Sequence, residues 1–193
     1  MTQRPNHLTT HQPDITTDRL ILRRLELTDA LIIQQLAGTR EVAEMTLLVP
    51  HPYPDDAAEL FIRSTWAKAE GGTDFTFAII RKDESSFVGV IGLHGNATHN
   101  RAEIGYWIGV PYWGNGYATE AAKAVIALGF ETKHYNRICA GYLTKNPASR
   151  RVQEKAGMIF EGVRRQEYLK WGVYENHGMC AILREDYLRA KSF

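Results

Sequence analysis

The chain has 193 residues, 44% of them hydrophobic, and its 23 basic and 22 acidic residues leave a net charge of +1. This composition excludes a disordered chain, and the length favours one domain with its own hydrophobic core. The balanced charge excludes the basic surface that nucleic acids or anionic membranes attract, so we expect neither as a partner.

The first part of the chain combines a polar tail with the start of a folded unit. We expect a tail over residues 1–16, one domain over 17–187 and a short C-terminal tail over 188–193. The predicted elements, in chain order, are a strand at 18–25, helices at 28–37 and 55–70, and strands at 75–81 and 87–94. Three prolines between residues 46 and 56 exclude regular structure there.

The second part alternates strands with helices. The predicted elements are a strand at 102–110, a helix at 116–132, a strand at 136–143, a helix at 147–157, and strands at 158–165 and 179–183 around a loop at 170–174. Two strands joined through a helix predict a parallel pair, whereas the hairpins elsewhere predict antiparallel pairs. The fold class is therefore α/β, with a mixed sheet in a single domain.

A glycine-rich turn joins the strand at 102–110 to the following helix. Residues 113–121 read Trp-Gly-Asn-Gly-Tyr-Ala-Thr-Glu-Ala. Gly114 and Gly116 leave backbone N–H groups free of Cβ interference, and the helix N-terminus adds unpaired donors and the positive end of its dipole. Such an arrangement binds phosphate, although glycine-rich turns between a strand and a helix are often only turns.

Three phosphate-binding motifs contain such a turn. A P-loop needs Gly-Lys-Ser/Thr at the helix start, where this chain has Gly116, Tyr117 and Ala118, so that motif is excluded. A dinucleotide fingerprint needs a third glycine, where Thr119 stands, and this turn also comes too late in a mixed sheet. A coenzyme A site is the third interpretation.

Three stretches occur in a fixed order: residues 102–110, residues 113–121, and residues 146–158, which begin Asn-Pro-Ala-Ser and end Lys-Ala-Gly-Met. Together they resemble the GNAT superfamily of N-acetyltransferases, and within it the branch that acetylates N-terminal alanines of ribosomal proteins. The resemblance runs from about residue 17 to residue 187. Trp113 stands where the superfamily often has Gln or Arg, which affects only a side-chain contact because backbone amides bind the phosphates.

The resemblance implies a single-domain α/β (α+β) fold whose mixed, mostly antiparallel sheet of about seven strands is splayed at its centre and flanked by about four helices. It implies acetyl-CoA as cofactor, with its arm pairing to an exposed strand edge. The implied contacts are Ile108, Gly109 and Val110 for the arm, Gly114, Asn115, Gly116, Tyr117, Ala118 and Thr119 for the pyrophosphate, and Asn146 from the neighbouring strand. Arg151 and Lys155, in a basic cluster with Arg150, are either a 3′-phosphate site or a solvated helix face.

The implied activity is transfer of an acetyl group from acetyl-CoA to a primary amine. An α-amino group has a pKa of about 7.7–8.0 and is partly neutral at pH 7, which favours a protein or peptide N-terminus as acceptor. The alternatives are a small amine (a polyamine, an amino acid or an amine antibiotic) as acceptor, or a non-catalytic sensor of coenzyme A. We expect direct transfer in a ternary complex, because no well-placed nucleophile favours a covalent intermediate.

Two glutamates are candidates for the general base. Glu167 follows the penultimate strand, where the ribosomal-protein branch has a proposed base, although an edge charge in solvent fits the same pattern. Glu103 matches the base of the histone-acetyltransferase branch. It lies five residues from Ile108, about 16 Å along a strand, so it would need a water relay, and it could instead pair with Arg101.

Ser149 is the candidate donor to the leaving thiolate. Many superfamily members have a tyrosine on the helix at 147–157, and this chain has none there. A serine hydroxyl can donate a hydrogen bond to sulfur as charge develops, although serine is also common in a first helical turn. A backbone N–H near Ile108, at an expected bulge of the strand, would bind the carbonyl oxygen.

Metal, disulfide and membrane chemistry find no support in the sequence. The seven histidines show no metal-ligand spacing, and Cys139 and Cys180 lie in apolar stretches that predict core positions. No apolar run is long enough to span a membrane. We expect a cytoplasmic protein without a metal site, with a homodimer as one option for its assembly.

Overall fold

The computed structural model describes residues 12–192. The strands are β1 (Ile15–Thr16), β2 (Leu20–Arg24), β3 (Asp74–Arg81), β4 (Phe87–Asn96), β5 (Arg101–Ile108), β6 (Arg137–Leu143), β7 (Ile159–Lys170) and β8 (Val173–Leu183). The α-helices are α1 (Ala30–Ala37), α2 (Arg40–Met45), α3 (Ala57–Glu70), α4 (Tyr117–Ala127), α5 (Pro147–Lys155) and α6 (Arg184–Lys191). A π-helical turn over Leu128–Thr132 extends α4.

All eight strands belong to one sheet, in the order β1-β2-β3-β4-β5-β6-β8-β7. β5 and β6 are parallel, and every other neighbouring pair is antiparallel. The parallel pair is the one connected through α4, as the alternation of strand and helix predicts.

Helices cover both faces of the sheet, and each face has its own hydrophobic core. On one face, Ala121 and Val125 of α4 are buried against strand residues such as Phe75. On the other face, Ile33 of α1 and Ile62 of α3 are buried against β2, β3 and β4. We call these the α4–α5 face and the α1–α3 face.

The sheet opens in its middle, where β5 and β6 separate. Their pairing ends at Ile104 and Ala140. Beyond these residues β5 stays paired with β4, and β6 stays paired with β8. The facing edges, residues 105–108 of β5 and 141–143 of β6, leave an opening that we call the central gap.

The predicted fold class, the mixed sheet and its splayed centre are confirmed, while the numbers of elements differ. The residues described contain eight strands rather than about seven and six α-helices rather than about four. The additional strand is the two-residue β1 at the sheet edge. The sequence pattern does not predict α2 and α6, because α2 is only six residues long and α6 buries none of its residues.

Regular structure extends beyond the limits expected from the sequence. β1 lies within the predicted N-terminal tail, and α6 continues past residue 187; the first eleven residues of that tail lie outside the described residues. The predicted loop at 170–174 is instead a tight turn, in which Trp171 and Gly172 have φ of 49° and 79°. Such a turn matches the twist of the paired strands, so β7 and β8 continue almost to each other.

Candidate active site

The central gap opens into a cavity of about 950 Å³. The cavity reaches the N-termini of α4 and α5 on the α4–α5 face and the side chains of α1 and α3 on the opposite face. Two molecules that enter from opposite faces can therefore meet within the sheet.

The glycine-rich turn has the conformation that its sequence predicts. Gly114 and Gly116 have φ of 78° and 80°, in the left-handed region that glycine adopts without strain. Arg19 fixes the turn by donating to the carbonyl of Asn115 at 3.0 Å. The first three N–H groups of α4 precede the first helical bond, from Glu120 to the carbonyl of Gly116 at 3.1 Å. The turn thus brings backbone donors to the cavity wall.

Glu120 places a carboxylate in the first turn of α4, where an uncompensated charge would repel phosphate. Arg19 pairs with this carboxylate at 2.7 Å, and the hydroxyl of Thr17 donates to it at 2.6 Å. Burial acts to raise the pKa of Glu120, but the bonds from Thr17 and Arg19 outweigh burial and lower the pKa. The carboxylate is ionised and neutralised by Arg19, so the turn remains favourable for an anion.

β5 ends earlier than the sequence predicts. Its last residue is Ile108, and Val110 begins a short 3-10 turn. The carbonyl of Ile108 accepts the indole N–H of Trp113 at 2.7 Å. The unpaired edge of β5 therefore lies at residues 105–108, upstream of the predicted contact from Ile108 through Gly109 to Val110.

The predicted bulge near Ile108 is wrong. Ile108 pairs with Gly89, and the described register between β4 and β5 contains no shift. The N–H of Gly109 donates to the carbonyl of Val88 on β4 at 2.9 Å. Because successive N–H groups of a strand point in opposite directions, the N–H groups of Ile108 and Tyr106 face the central gap without any bulge.

Ser149 lies in the first turn of α5, beside the gap. Asn146 caps this helix, since its Oδ1 accepts the N–H of Ser149 at 3.1 Å. The amide of Asn146 also donates to the carbonyl of Met45 at 3.2 Å. Both ends of the Asn146 side chain are engaged, so a bond from it to a cofactor arm would replace one of these contacts.

Tyr106 and Gln153 converge on Ser149. The hydroxyl of Tyr106 lies 3.0 Å from both the carbonyl oxygen and Oγ of Ser149, and Nε2 of Gln153 lies 3.4 Å from the same Oγ. When Tyr106 donates to the carbonyl and Gln153 to Oγ, the hydroxyl hydrogen of Ser149 can point to the phenol oxygen of Tyr106 or rotate to a ligand atom in the cavity. Burial raises the pKa of Tyr106 to about 12 against the opposing bonds to Ser149 and Gln153, so the phenol stays protonated.

Sequence reasoning missed Tyr106 and Gln153. Tyr106 alternates with Ile104 and Ile108, a pattern that indicates a core position. Gln153 is fully buried and donates to the carbonyl of Gly141 at 3.2 Å. In a continued parallel ladder that carbonyl would accept from β5, so Gln153 replaces a strand bond lost at the gap.

Glu167 has both carboxylate oxygens engaged. Arg164 donates to Oε1 at 2.7 Å, and Nδ1 of His177 lies 3.0 Å from Oε2. Burial acts to raise the pKa of Glu167, but the bonds and charges of Arg164 and His177 outweigh burial and lower the pKa. The carboxylate is therefore ionised near neutral pH and accepts a further proton poorly.

Glu103 is exposed on β5, in register with His94 and Cys139. It precedes the point where β5 and β6 separate, and it lines the cavity that opens from the central gap. Among residues 12–192 no ion pair within 4.0 Å involves Glu103, so the alternative pairing with Arg101 is not formed. Burial, followed by the charges of Glu167 and Glu103, raises the pKa of Tyr168. The two candidate bases thus lie near one tyrosine.

The basic cluster on α5 divides into two parts. Arg150 pairs with Glu154 at 2.8 Å and lies over the ring of Phe160 at 4.4 Å. Arg151 and Lys155 are exposed and line the cavity. Only these two cations of the cluster therefore face a ligand in the cavity.

The structure gives no support for cysteine, metal or membrane chemistry among the residues described. Cys139 and Cys180 are buried free thiols, and burial raises the pKa of each, which makes both poor nucleophiles. Within residues 12–192 no group of three or more His, Cys, Asp and Glu side chains could hold a metal ion. The helices of that same range include none that is long and apolar enough to cross a membrane.

Comparison with known families agrees with this geometry. A family model described as the acetyltransferase (GNAT) domain matches residues 19–159. The chain belongs to the GNAT acetyltransferase family. The predicted family and the predicted class of enzyme, an N-acetyltransferase, are thereby confirmed.

Individual relatives of this GNAT chain cover nearly its whole length. It is 36% identical over 173 residues to the uncharacterized N-acetyltransferase YoaA of Bacillus subtilis (strain 168), spanning 89% of this chain and 97% of YoaA. It is 28% identical over 180 residues to the ribosomal protein uS5-alanine N-acetyltransferase of Escherichia coli (strain K12), spanning 90% and 92%. RimL, solved in complex with coenzyme A, shares the fold with a TM-score of 0.81 at 17% identity, spanning 89% of this chain and 98% of RimL. The resemblance to the ribosomal-protein branch is confirmed.

Proposed function

We propose that this GNAT protein transfers an acetyl group from acetyl-CoA to a primary amine by direct attack within a ternary complex. The observation that carries the proposal is the central gap, which chemically different side chains flank on its two faces. Ser149 lines it on the α4–α5 face, and His177, which contacts Glu167, lines it on the α1–α3 face. A thioester in the gap meets a donor for its sulfur on one face and an incoming amine on the other.

The α4–α5 face fits coenzyme A. The turn at residues 114–119 supplies backbone donors for a pyrophosphate, and Arg151 and Lys155 supply charge for a 3′-phosphate. The N–H groups of Tyr106 and Ile108 face the gap, where they can donate hydrogen bonds to carbonyl oxygens of the arm or of the thioester. RimL, which shares this fold, binds coenzyme A in its solved complex.

Ser149 stabilises the leaving sulfur in this mechanism. Its hydroxyl hydrogen can turn from the phenol oxygen of Tyr106 to the sulfur, while Gln153 donates to Oγ. A donor that bonds to sulfur as negative charge develops lowers the barrier more than it stabilises the bound substrate. Direct transfer is favoured because Cys139 and Cys180 are buried with raised pKa values and cannot carry the acetyl group.

The proposed acceptor is a protein or peptide N-terminal amine. An α-amino group is partly neutral near pH 7 and needs only a modest base, whereas a lysine amine with a pKa of about 10.4 needs far more help. The E. coli relative is named as an alanine N-acetyltransferase of ribosomal protein uS5. A small diamine is the second candidate, favoured by the exposed carboxylate of Glu103 on the acceptor face.

Thiol release from acetyl-CoA in the presence of peptides, polyamines and amino acids tests the proposal. The matched control is Gly116→Trp, which places a side chain at φ 80° in the phosphate turn. We expect turnover with at least one amine for the wild type and no coenzyme A binding for the folded variant. Coenzyme A binding without turnover on any amine would instead indicate a sensor.

A further inference from the structure

His177 lines the cavity at the central gap, with Nε2 on the side of its ring that lies over β6. Its side chain is only 10% exposed. The ring lies over Gly141 at the edge of β6, where an added Cβ would be 2.1 Å from Nε2 of His177. Tyr168 packs edge-on against the ring, with centroids 5.0 Å apart. The imidazole is therefore held in one orientation beside the separated strands.

The contact with Glu167 fixes the tautomer of His177. Nδ1 lies 3.0 Å from Oε2 of Glu167, and an ionised carboxylate is only an acceptor, so Nδ1 carries the hydrogen. Nε2 then has a free lone pair. Glu167 has no comparable capacity, because Arg164 occupies its other oxygen at 2.7 Å.

Ser149 and His177 approach the same residue from opposite faces. Nε2 of Gln153 bridges Oγ of Ser149 at 3.4 Å and the carbonyl of Gly141 at 3.2 Å on the α4–α5 face. The ring of His177 covers Gly141 on the other face. A group that donates to sulfur and a group that accepts from nitrogen thus flank one position in the sheet.

We propose that His177 is the general base for the acceptor amine and that Glu167 is a positioning residue that orients it; the inference rests on the proposed acetyl transfer. The amine nitrogen bonds to the thioester carbon, and its proton passes to Nε2 of His177. The carbon–sulfur bond breaks, the thiolate takes one proton from the hydrogen-bonded network or solvent, and the imidazolium returns one proton to solvent. The proton lost by nitrogen equals the proton gained by sulfur, so no further reactant is required.

The groups around His177 explain why removal of Glu167 should alter the pH dependence. From β7 come Glu167, Arg164 and Tyr168, and from β5 comes the carboxylate of Glu103. The neighbouring β6 residues, Gly141 and Leu143, are uncharged. Lys145 and Glu175 form an ion pair with each other, so their charges largely cancel. Glu167 is the only one of these groups in hydrogen-bond contact with His177 among the residues described.

His94 is a natural internal control. It forms the same kind of pair, with Nδ1 2.8 Å from Asp74, and its ring also lies over a glycine, Gly92. Gly92 lies on β4, which stays paired with β5 along this stretch, so His94 lines the same cavity two strands away from β6. The two histidines therefore differ in position rather than in type of contact.

The experiment measures kcat at saturating acetyl-CoA and acceptor across pH for wild type, His177→Gln, Glu167→Gln and His94→Gln. Two acceptors with different amine pKa values separate titration of the enzyme from titration of the acceptor. We expect His177→Gln to lose roughly 100-fold in kcat. We also expect this variant to lack the acidic limb of the pH profile, which is the fall in kcat as the pH decreases. Glu167→Gln should lose roughly 10-fold in kcat and move that limb toward lower pH, because the carboxylate that favours the protonated imidazole is removed. His94→Gln should keep the limb.

Coenzyme A binding by calorimetry and thermal melting report whether each variant is folded. His177→Ala gives a second variant at the site, and added imidazole should restore part of its activity. A limb that survives His177→Gln but vanishes in Glu167→Gln would make Glu167 the base and overturn the inference. A wild type that binds coenzyme A but acetylates no amine would overturn the proposed function itself, which is a separate outcome.

Discussion

The two faces of the central gap are built from different chemistry. On the α4–α5 face, Tyr106, Ser149 and Gln153 form a network of uncharged groups, largely buried. On the α1–α3 face, His177, Glu167 and Arg164 form a charged group that reaches solvent. The first network keeps its protonation state over the whole neutral range. The second combines an imidazole with a carboxylate and a guanidinium.

This difference divides the work of the proposed reaction. A leaving thiolate needs a donor that is always protonated, and the Tyr106 phenol, whose pKa burial raises to about 12, lies in such a network. An attacking amine needs an acceptor that gains and loses a proton near neutral pH, which imidazole does. The comparison predicts that the pH dependence of catalysis arises on the α1–α3 face alone.

Gly141→Ala should give the largest effect, a loss of roughly 100-fold in kcat, because a displacement of the catalytic group by about 1 Å is enough for such a loss. The new Cβ would lie 2.1 Å from Nε2 of His177 and force the ring away. Steady-state kinetics with coenzyme A binding as a folding control measure it. Gly92→Ala is the matched variant, since its Cβ would lie 2.5 Å from Nε2 of His94. Equal losses in both variants would contradict the assignment of the gap-facing histidine.

Ser149→Ala should lower kcat roughly 10-fold, the equivalent of about 1.4 kcal/mol for one hydrogen bond. The shape of the pH–rate profile should not change, because this face does not titrate near neutrality. Tyr106→Phe combined with Ser149→Ala should be no slower than Ser149→Ala alone if Tyr106 acts only through Ser149. Additive losses in that double-mutant cycle would give Tyr106 a direct contact with sulfur.

Tyr106→Phe should change the alkaline stability of the protein. Because burial raises the pKa of Tyr106 from 10.0 to about 12, the wild type gains stability below pH 10 that is lost as pH rises toward 12. The phenylalanine variant does not lose this stability. The unfolding free energy of the wild type relative to that of the variant should therefore fall by about 1 kcal/mol between pH 8 and pH 11. Urea denaturation at pH 8 and pH 11 checks this. A constant difference would contradict the buried protonated phenol.

Lys155→Ala should give the smallest effect, an increase of roughly threefold in KM for acetyl-CoA, since exposed charge contacts contribute about 0.2–1 kcal/mol. The same variant should show no change with acetyl-3′-dephospho-CoA. Arg150→Ala is the control on the same helix, because Arg150 pairs with Glu154 at 2.8 Å and turns away from the cavity. An equal effect on both donor substrates would remove the 3′-phosphate from this site.

Local features of the site follow from the sequence. Gly114 and Gly116 adopt the left-handed conformation, which glycine adopts without backbone strain. Ser149 lies in a first helical turn that Asn146 caps. Each of these features joins residues that are close in the chain. Backbone preference therefore decides them before any packing.

Non-local features of the site do not follow from the sequence pattern. Tyr106 and Ser149 are 43 residues apart, and Tyr106 alternates with isoleucines as a core residue would. His177 lies between the predicted loop at 170–174 and the predicted strand at 179–183, since the extension of β8 to residue 173 depends on its pairing with β6 and β7. The predicted bulge at Ile108 was wrong because Ile108 pairs regularly with Gly89 and its carbonyl accepts the indole N–H of Trp113.

The sequence by itself determined the mixed sheet and the conformation of the glycine-rich turn, because periodicity and glycine content act over a few neighbouring residues. The family followed from the resemblance of three motifs in a fixed order. Only the tertiary structure decided where β5 and β6 separate and which side chains meet there. Those contacts join strands and helices that are distant in the chain, so their geometry is set by packing the whole sheet at once.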